Sequence, residues 1–417
     1  MTNSKLQTYN QKKHGISSED IAPSALAIIY KLLDAGYQAY IVGGAVRDLL
    51  LGFHPKDFDI ATNATPDEVK HVFDRHCRLI GRRFRLAHVY HNREMYEVAT
   101  FRGTSSQGER IVKRGHILKD NVFGTIEQDA LRRDFTCNSL YFDIENNNIL
   151  DYCHGVKDTL DRRLVFIGDA VTRIIEDPIR MIRAVRFQAK LNLTLSDAII
   201  QGILQQHKTL EKVSYARLFD ELVKLFHSGH SRKAYVLLKQ LKLFGHIFQQ
   251  SDHIIKQNPS YDDLIQSALK STDSRIASKK SVTPIFLFAC FLWPVAETLA
   301  QLYIKKGSSA YDAYNKAANK VFSDLRQTLA IPRLVQIGIR NIWLMQLRLM
   351  NNRGKRVFYT LEQPRFRAAY DFFLLRSLLS PELADIAQWW TTIQTLSKTK
   401  QKEFVYPKKK RHSSKKR

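Results

Sequence analysis

Asp57 and Asp59 stand one residue apart in the stretch GGAVRDLLLGFHPKDFDIAT, residues 43–62. In an extended segment residues i and i+2 point to the same face, so these carboxylates project side by side and repel unless a cation bridges them. A hard, oxygen-seeking ion such as Mg2+, with Mn2+ as its substitute, suits such a pair while phosphates fill the other positions. A bare Asp-x-Asp is common, and its plain alternative is one turn cap and one solvent-facing charge. The residues upstream change the odds. Gly43 and Gly44 sit where an apolar strand hands over to a helix, a geometry that lets a phosphate reach backbone N–H groups at the positive helix end. Arg47 follows one turn later on the phosphate side. Such glycines, an arginine and paired carboxylates are the parts needed to hold a nucleoside triphosphate and a metal together.

The surrounding pattern supplies elements to position them. Residues 1–20 are polar and read as a disordered N-terminus. APSALAIIYKLLDAGYQAYIVGG reads as a helix ended by Gly36 and then the strand AYIV, with Pro23 in the first helical turn. RDLLLG reads as a short helix, DFDIAT as a strand, and TPDEVKHVF as a helix capped by Thr65. RLAHVY and EMYEVATFR form two strands around the turn HNR, and 103–123 read as a mobile loop. TIEQDALRRDF opens with a capping box, Thr125 to Gln128, and CNSLYFDI with NILDYC closes the region as a hairpin. The fold class is therefore α+β: a head of 21–152 with a mixed sheet of about five strands, followed by helical periodicity to about residue 398.

The chain has 417 residues, 44% of them hydrophobic, which is ample for several packed modules. Its 65 Lys and Arg against 40 Asp and Glu give a net charge of +25, an excess that calls for a polyanion, with nucleic acid ahead of an anionic membrane. Cys77, Cys137, Cys153 and Cys290 show no metal-ligand spacing and read as reduced core thiols of a cytoplasmic protein. The N-terminus shows no signal-peptide pattern. IFLFACFLW, 285–293, lies between prolines, is too short for a transmembrane segment and reads as a buried helix. The end, PKKKRHSSKKR, carries seven Lys or Arg in eleven residues and reads as part of a disordered basic tail, 399–417.

VGGAVRDLLLG, DFDIATNATPDEV, EVATFRG, RRDFTCNSLYFD and EDPIRMIRAVRF occur in that order. Together they resemble the tRNA nucleotidyltransferase/poly(A) polymerase family, the class II nucleotidyltransferases, and LIGRRFRLAHV at 79–89 resembles the segment that marks its bacterial poly(A) polymerase branch. The likeness continues through SVTPIFLFACFLWP, IWLMQLRLM and PRFRAAYDFFLLR, so it covers roughly residues 20–395. It implies a nucleotidyltransferase head followed by all-helical neck, body and tail domains. These are placed at 153–250 for the neck, with base recognition and RNA binding, and at 251–398 for a C-terminal RNA-binding domain.

By that resemblance Asp57 and Asp59 are the metal-binding catalytic carboxylates of a two-metal displacement. Two residues compete as a third. Glu97 lies on strand YEVATF and Asp134 in RRDFT, with Asp134 slightly ahead because its motif is longer; a strand-edge charge is the plain reading of Glu97. Arg132 and Arg133 are implied to face the nucleotide sugar and phosphates rather than to be a solvated helix end. Arg82 and Arg83 in GRRF offer charge for triphosphate or primer, or form a solvent-facing turn. EDPIR places Asp177 at an N-cap and Pro178 at the first helical position, with Arg180 and Arg183 a turn apart. As a plain helix start this needs nothing more, but the resemblance makes it a protein template for the base edge, whose unpaired polar groups would penalise a wrong base. Cys137 replaces the usual aliphatic residue of the motif as a packing variant.

The leading expectation is a template-independent poly(A) polymerase that transfers AMP from ATP to RNA 3′-hydroxyl ends, releases pyrophosphate and promotes RNA decay. It would act as a monomer on mRNA and other RNAs, with RNA-decay proteins as partners. A CCA-adding tRNA nucleotidyltransferase shares the head and the EDxxR helix but not the GRRFRLAHV segment or the lysine-rich tail. A non-catalytic basic RNA-binding protein would gain nothing from clustered carboxylates facing phosphates.

Overall fold

A computed structural model describes residues 6–81, 85–103, 111–113, 116–119 and 122–406. The chain divides into two compact units, Met1–Arg180 with Leu191–Gln205, and Met181–Lys190 with Gln206–Arg417.

The first unit is built on one eight-stranded sheet. Its strands are β1 (Gln7–Asn10), β2 (Ala39–Val42), β3 (Asp59–Thr62), β4 (Cys77–Ile80), β5 (Leu86–His91) and β6 (Glu94–Thr100), then, after a separate two-stranded pair β7 (Ile111–Lys113) and β8 (His116–Lys119), β9 (Leu140–Asp143) and β10 (Asn148–Asp151). They lie in the order β1-β10-β9-β2-β3-β6-β5-β4. Every neighbouring pair is antiparallel except β3 and β6, which run parallel with Ile60 opposite Val98.

Alternation along the strands sorts the two faces. Ile41, Ile60, Val98 and Phe142 point into a core with Ile28, Ile29 and Val69 of the helices α1 (Pro23–Asp34) and α3 (Pro66–Phe73). Between these, α2 (Gly44–Leu50) follows β2 directly. The opposite face carries Val42, Ala61, Phe101 and Tyr141, packed with Ala130 of α4 (Ile126–Arg132). Both expected caps form: Thr65 and Glu68 bond reciprocally at the start of α3, and Thr125 and Gln128 at the start of α4. The helix α5 (Ala170–Glu176) ends at Asp177, and after Pro178 the chain enters α6 (Ile179–Leu191), whose residues Met181–Lys190 belong to the second unit.

The second unit is helical throughout its described length. Its centre is α7 (Pro284–Lys305), which packs with α8 (Ala310–Leu325) and α9 (Arg333–Leu349). Trp293 and Trp343 are fully buried there, and the Trp343 indole donates to the carbonyl of Ala289 at 3.1 Å. By length and composition α7 could cross a membrane, but Leu287–Ala296 is buried in the helical core.

Several expectations need correction. Within the expected disordered segment 1–20, Gln7–Asn10 pairs with β10, His14 Nε2 lies 3.1 Å from the Asn147 carbonyl oxygen and Ile16 is buried, as is Ile21 just beyond it. Backbone pairing and two apolar anchors order a stretch whose composition is polar. The sheet has eight strands rather than about five, because four-residue strands such as β1 and β4 show no readable alternation. Part of the expected loop 103–123 is the hairpin β7–β8. Helix α7 runs through Pro294 instead of ending there, since burial on both sides offsets one lost backbone bond. A helix, Lys398–Val405, occupies the first residues of the expected tail 399–417, and residues 407–417 lie outside the described residues. The four cysteines are free thiols, all buried.

Candidate active site

Strand register brings the acidic residues together. Val42 pairs with Asp59, so the end of β2, where Gly43 begins the turn, lies beside the start of β3. On the other flank the parallel register of Ile60 with Val98 sets Glu97 beside Asp59 on one face. Asp57 precedes β3 rather than lying within it, yet it keeps the strand's alternation: Asp57 and Asp59 are exposed and Phe58 between them is buried. Phe58 inside forces its two neighbours outward.

The charge environment of Asp59 records that proximity. Packed protein on its inner side withdraws water and pushes its carboxyl above the usual range. The negative charge of Glu97 pushes the same way, Arg133 opposes it, and Asp57 adds to the rise. Glu97 lies 3.7 Å from His88 Nε2, its cross-strand partner on β5. Among the described residues no three His, Cys, Asp or Glu side chains form a ready-made metal cage. A Mg2+ that keeps waters and phosphate oxygens needs only one or two protein carboxylates, and the repulsion felt at Asp59 is what a cation would relieve. The oxygen-only donor set fits such an ion.

Arg133 brings positive charge to this cluster, and it is held from behind. Its Nη2 and Nε donate to Asp129 Oδ2 at 2.8 and 3.2 Å, and its Nε also lies 3.1 Å from the Tyr141 hydroxyl. Tyr141 in turn donates to Asp129 Oδ2 at 2.7 Å. Burial lifts the Asp129 carboxyl, but the charge of Arg133 and the hydrogen bond from Tyr141 outweigh it and hold the group below its usual range. Arg133 Nη1 also donates to the carbonyl of Asn138 at 3.3 Å, and both atoms lie 3.4 Å from where a Cβ on Gly43 would stand. Asp129, Tyr141 and Asn138 are site-building residues that sequence reasoning missed. The i,i+4 spacing of Asp129 and Arg133 was the available signal.

Other expected site residues are placed differently. Gly43 has φ +73°, which glycine tolerates, but its N–H donates to the Leu140 carbonyl at 3.0 Å, so the first-turn amides of α2 begin at Gly44. Arg47 is 4% exposed and donates to Asp48 and Asn138, so it ties α2 to the turn after Phe135 instead of facing outward. Asp134 accepts from the Phe135 N–H at 2.9 Å and from Asn138 Nδ2 at 3.1 Å, which organises that turn. Strand register thus sets Glu97 beside Asp59, while Asp134 stands at the turn after α4. The carbonyls of Arg132 and Arg133 both accept from Arg173 Nη2, and Arg180 donates to the Arg173 carbonyl at 2.6 Å and to Glu176 at 2.9 Å. Asp177 is the C-cap of α5 and Pro178 the N-cap of α6, so the expected N-cap is displaced by one residue. Arg183 belongs to the second unit, where its guanidinium lies over the ring of Phe187. Arg82 and Arg83 lie outside the described residues.

Family profiles match residues 39–165 as "Poly A polymerase head domain", 192–255 as "Probable RNA and SrmB- binding site of polymerase A" and 306–417 as "Polymerase A arginine-rich C-terminus". Over 95% of its length the chain is 42% identical to poly(A) polymerase I of Salmonella typhi, covering 87% of that protein. A CCA-adding enzyme of Lactobacillus helveticus is 37% identical over 54% of this chain and 55% of its own length. A solved complex of a CCA-adding enzyme with CTP shares the fold, with TM-score 0.65 at 19% identity over 95% of this chain and 89% of that one. The match to the CCA-adding sequence spans about half of either chain, whereas the match to poly(A) polymerase I runs through both units. The chain belongs to the bacterial poly(A) polymerase I family of nucleotidyltransferases.

Proposed function

We propose that this chain extends RNA 3′ ends with adenylates from ATP, without a template, and that Asp57, Asp59 and Glu97 form its catalytic carboxylate set. The observation that supports this reading is the strand register that sets Glu97 beside Asp59, with the alternation around buried Phe58 turning Asp57 and Asp59 to one face. Bound Mg2+ would screen the triphosphate and favour the ionised primer hydroxyl. The remaining work belongs to the protein. The carboxylates orient the reacting ends in line, and Arg133, fixed by Asp129 and Tyr141, presents positive charge where phosphate charge accumulates. Gly43 keeps the chain low enough for the phosphates to approach. Asp177, half-buried between α5 and α6, and Arg180, held by Glu176, are assigned to the base edge. The helical unit grips RNA phosphates, and the chain acts as a monomer.

Incubation with ATP, Mg2+ and a generic RNA tests the reading directly. Long adenylate tracts are expected, with little use of CTP. Addition of one to three nucleotides, and only to tRNA, would instead identify a CCA-adding activity. Asp57→Ala should abolish incorporation and leave RNA binding nearly unchanged, which separates an enzyme from a basic RNA-binding protein.

A further inference from the structure

Helices α8 and α9 enclose a cavity of about 650 Å³ within the second unit. Its walls carry Asn319, Ser323 and Arg326 from α8 and its end, and Arg333, Gln336 and Arg340 from the start and middle of α9. Three guanidiniums thus surround one cleft. Arg340 Nη2 is aimed by Asn319 Oδ1, and among the described residues no carboxylate lies within ion-pair distance of Arg326, Arg333 or Arg340. The nearest acid in sequence, Asp324, is engaged by Lys320 at 2.8 Å and Gln250 at 3.1 Å. Three clustered like charges without an internal counter-ion call for an anion with several charges at fixed spacing.

The neighbouring surface says which anion. Arg333 and Arg340 are two helical turns apart, about 10 Å along α9. Between them Leu334 is 79% exposed and Ile337 46% exposed, giving an apolar ledge beside the charges. Farther along the same helix Arg348 lies 5.6 Å over the ring of Tyr359, itself 61% exposed. Charge for phosphates alternating with apolar and aromatic surface for bases is the requirement of single-stranded nucleic acid. We propose that the α8–α9 cleft seats the backbone of single-stranded RNA through Arg326, Arg333 and Arg340, with bases lying toward Leu334, Ile337 and Tyr359. The choice of RNA rests on the polymerase reading above.

The test measures binding of a fluorescein-labelled 20-nucleotide single-stranded RNA to the full chain across a salt series. Each lost phosphate contact removes about 0.7 from the slope of log affinity against log salt. The triple substitution R326Q/R333Q/R340Q is therefore expected to flatten the slope by about 2 and to weaken binding about a hundredfold at 0.1 M salt. The charge-keeping R326K/R333K/R340K should retain most of both. Unchanged slope and affinity in the glutamine variant would overturn the proposal, as would equal loss in the lysine variant. So would a poly-glutamate peptide that competes for the cleft while RNA binding stays intact. AMP incorporation by the unsubstituted chain tests the polymerase reading independently of these variants.

Discussion

Asp129→Asn is the most informative perturbation of the head, because Asp129 touches no substrate and yet holds Arg133, whose charge reaches Asp59. The buried carboxylate accepts from Arg133 twice, from the Tyr141 hydroxyl at 2.7 Å and from the Arg102 N–H at 3.2 Å. An asparagine removes the charge and turns an amide donor toward groups that also donate. Breaking a buried ion pair by neutralising one partner costs about 3–5 kcal/mol. Tyr141→Phe, which removes one hydrogen bond to a charged group, should cost about 2 kcal/mol. All four tryptophans, Trp293, Trp343, Trp389 and Trp390, lie in the helical unit, so their fluorescence follows that unit in a urea titration while hydrogen exchange follows the sheet. The expected result is early exposure of the sheet amides at an unchanged tryptophan midpoint. The pH dependence carries a defined sign. A carboxyl held below its usual value stabilises the fold at neutral pH, and that share disappears as pH falls below about 4. Asp129→Asn should therefore flatten the acid limb of stability. A loss under 1 kcal/mol in the sheet, with the acid limb unaltered, would refute the argument that this pair anchors Arg133.

Glu97→Gln should lower kcat by about a hundredfold or more, well beyond Asp134→Asn, and steady-state AMP incorporation giving the reverse order would restore Asp134 as the third carboxylate. Because burial first and Glu97 second raise the Asp59 carboxyl, any residual activity of Glu97→Gln should show its acid limb at lower pH than the parent. Asp59→Asn should raise the melting temperature of the metal-free protein while abolishing incorporation, as expected where a site stores repulsion; a lower melting temperature would contradict the clustering. Gly43→Ala meets a positive φ and two atoms at 3.4 Å, so it should cost about 1–2 kcal/mol in thermal unfolding and raise KM for ATP.

What could be read from the sequence was chiefly local. The capping boxes at Thr65 and Thr125 and the alternation around Phe58 depend on residues within four positions of each other, and each formed as expected. The pairing of Asp59 with Glu97 was not legible, since it arises from a parallel contact across the intervening β4–β5 hairpin and no local pattern encodes that register. Arg47 looked like a phosphate ligand because of its distance from Gly44. Its partners include the adjacent Asp48 and the distant Asn138, which draw it inward. Asp134 belongs to a longer motif than Glu97, but motif length reflects the turn it organises as well as the chemistry nearby.

The strand Gln7–Asn10 has a practical consequence for anyone trimming this protein. It covers the backbone of Asn148–Asp151, so its removal would expose a row of unsatisfied amides and carbonyls along the sheet rim. Such a rim invites a second molecule to add its own strand, and preparations shortened past Asn10 should self-associate even though every catalytic side chain is retained.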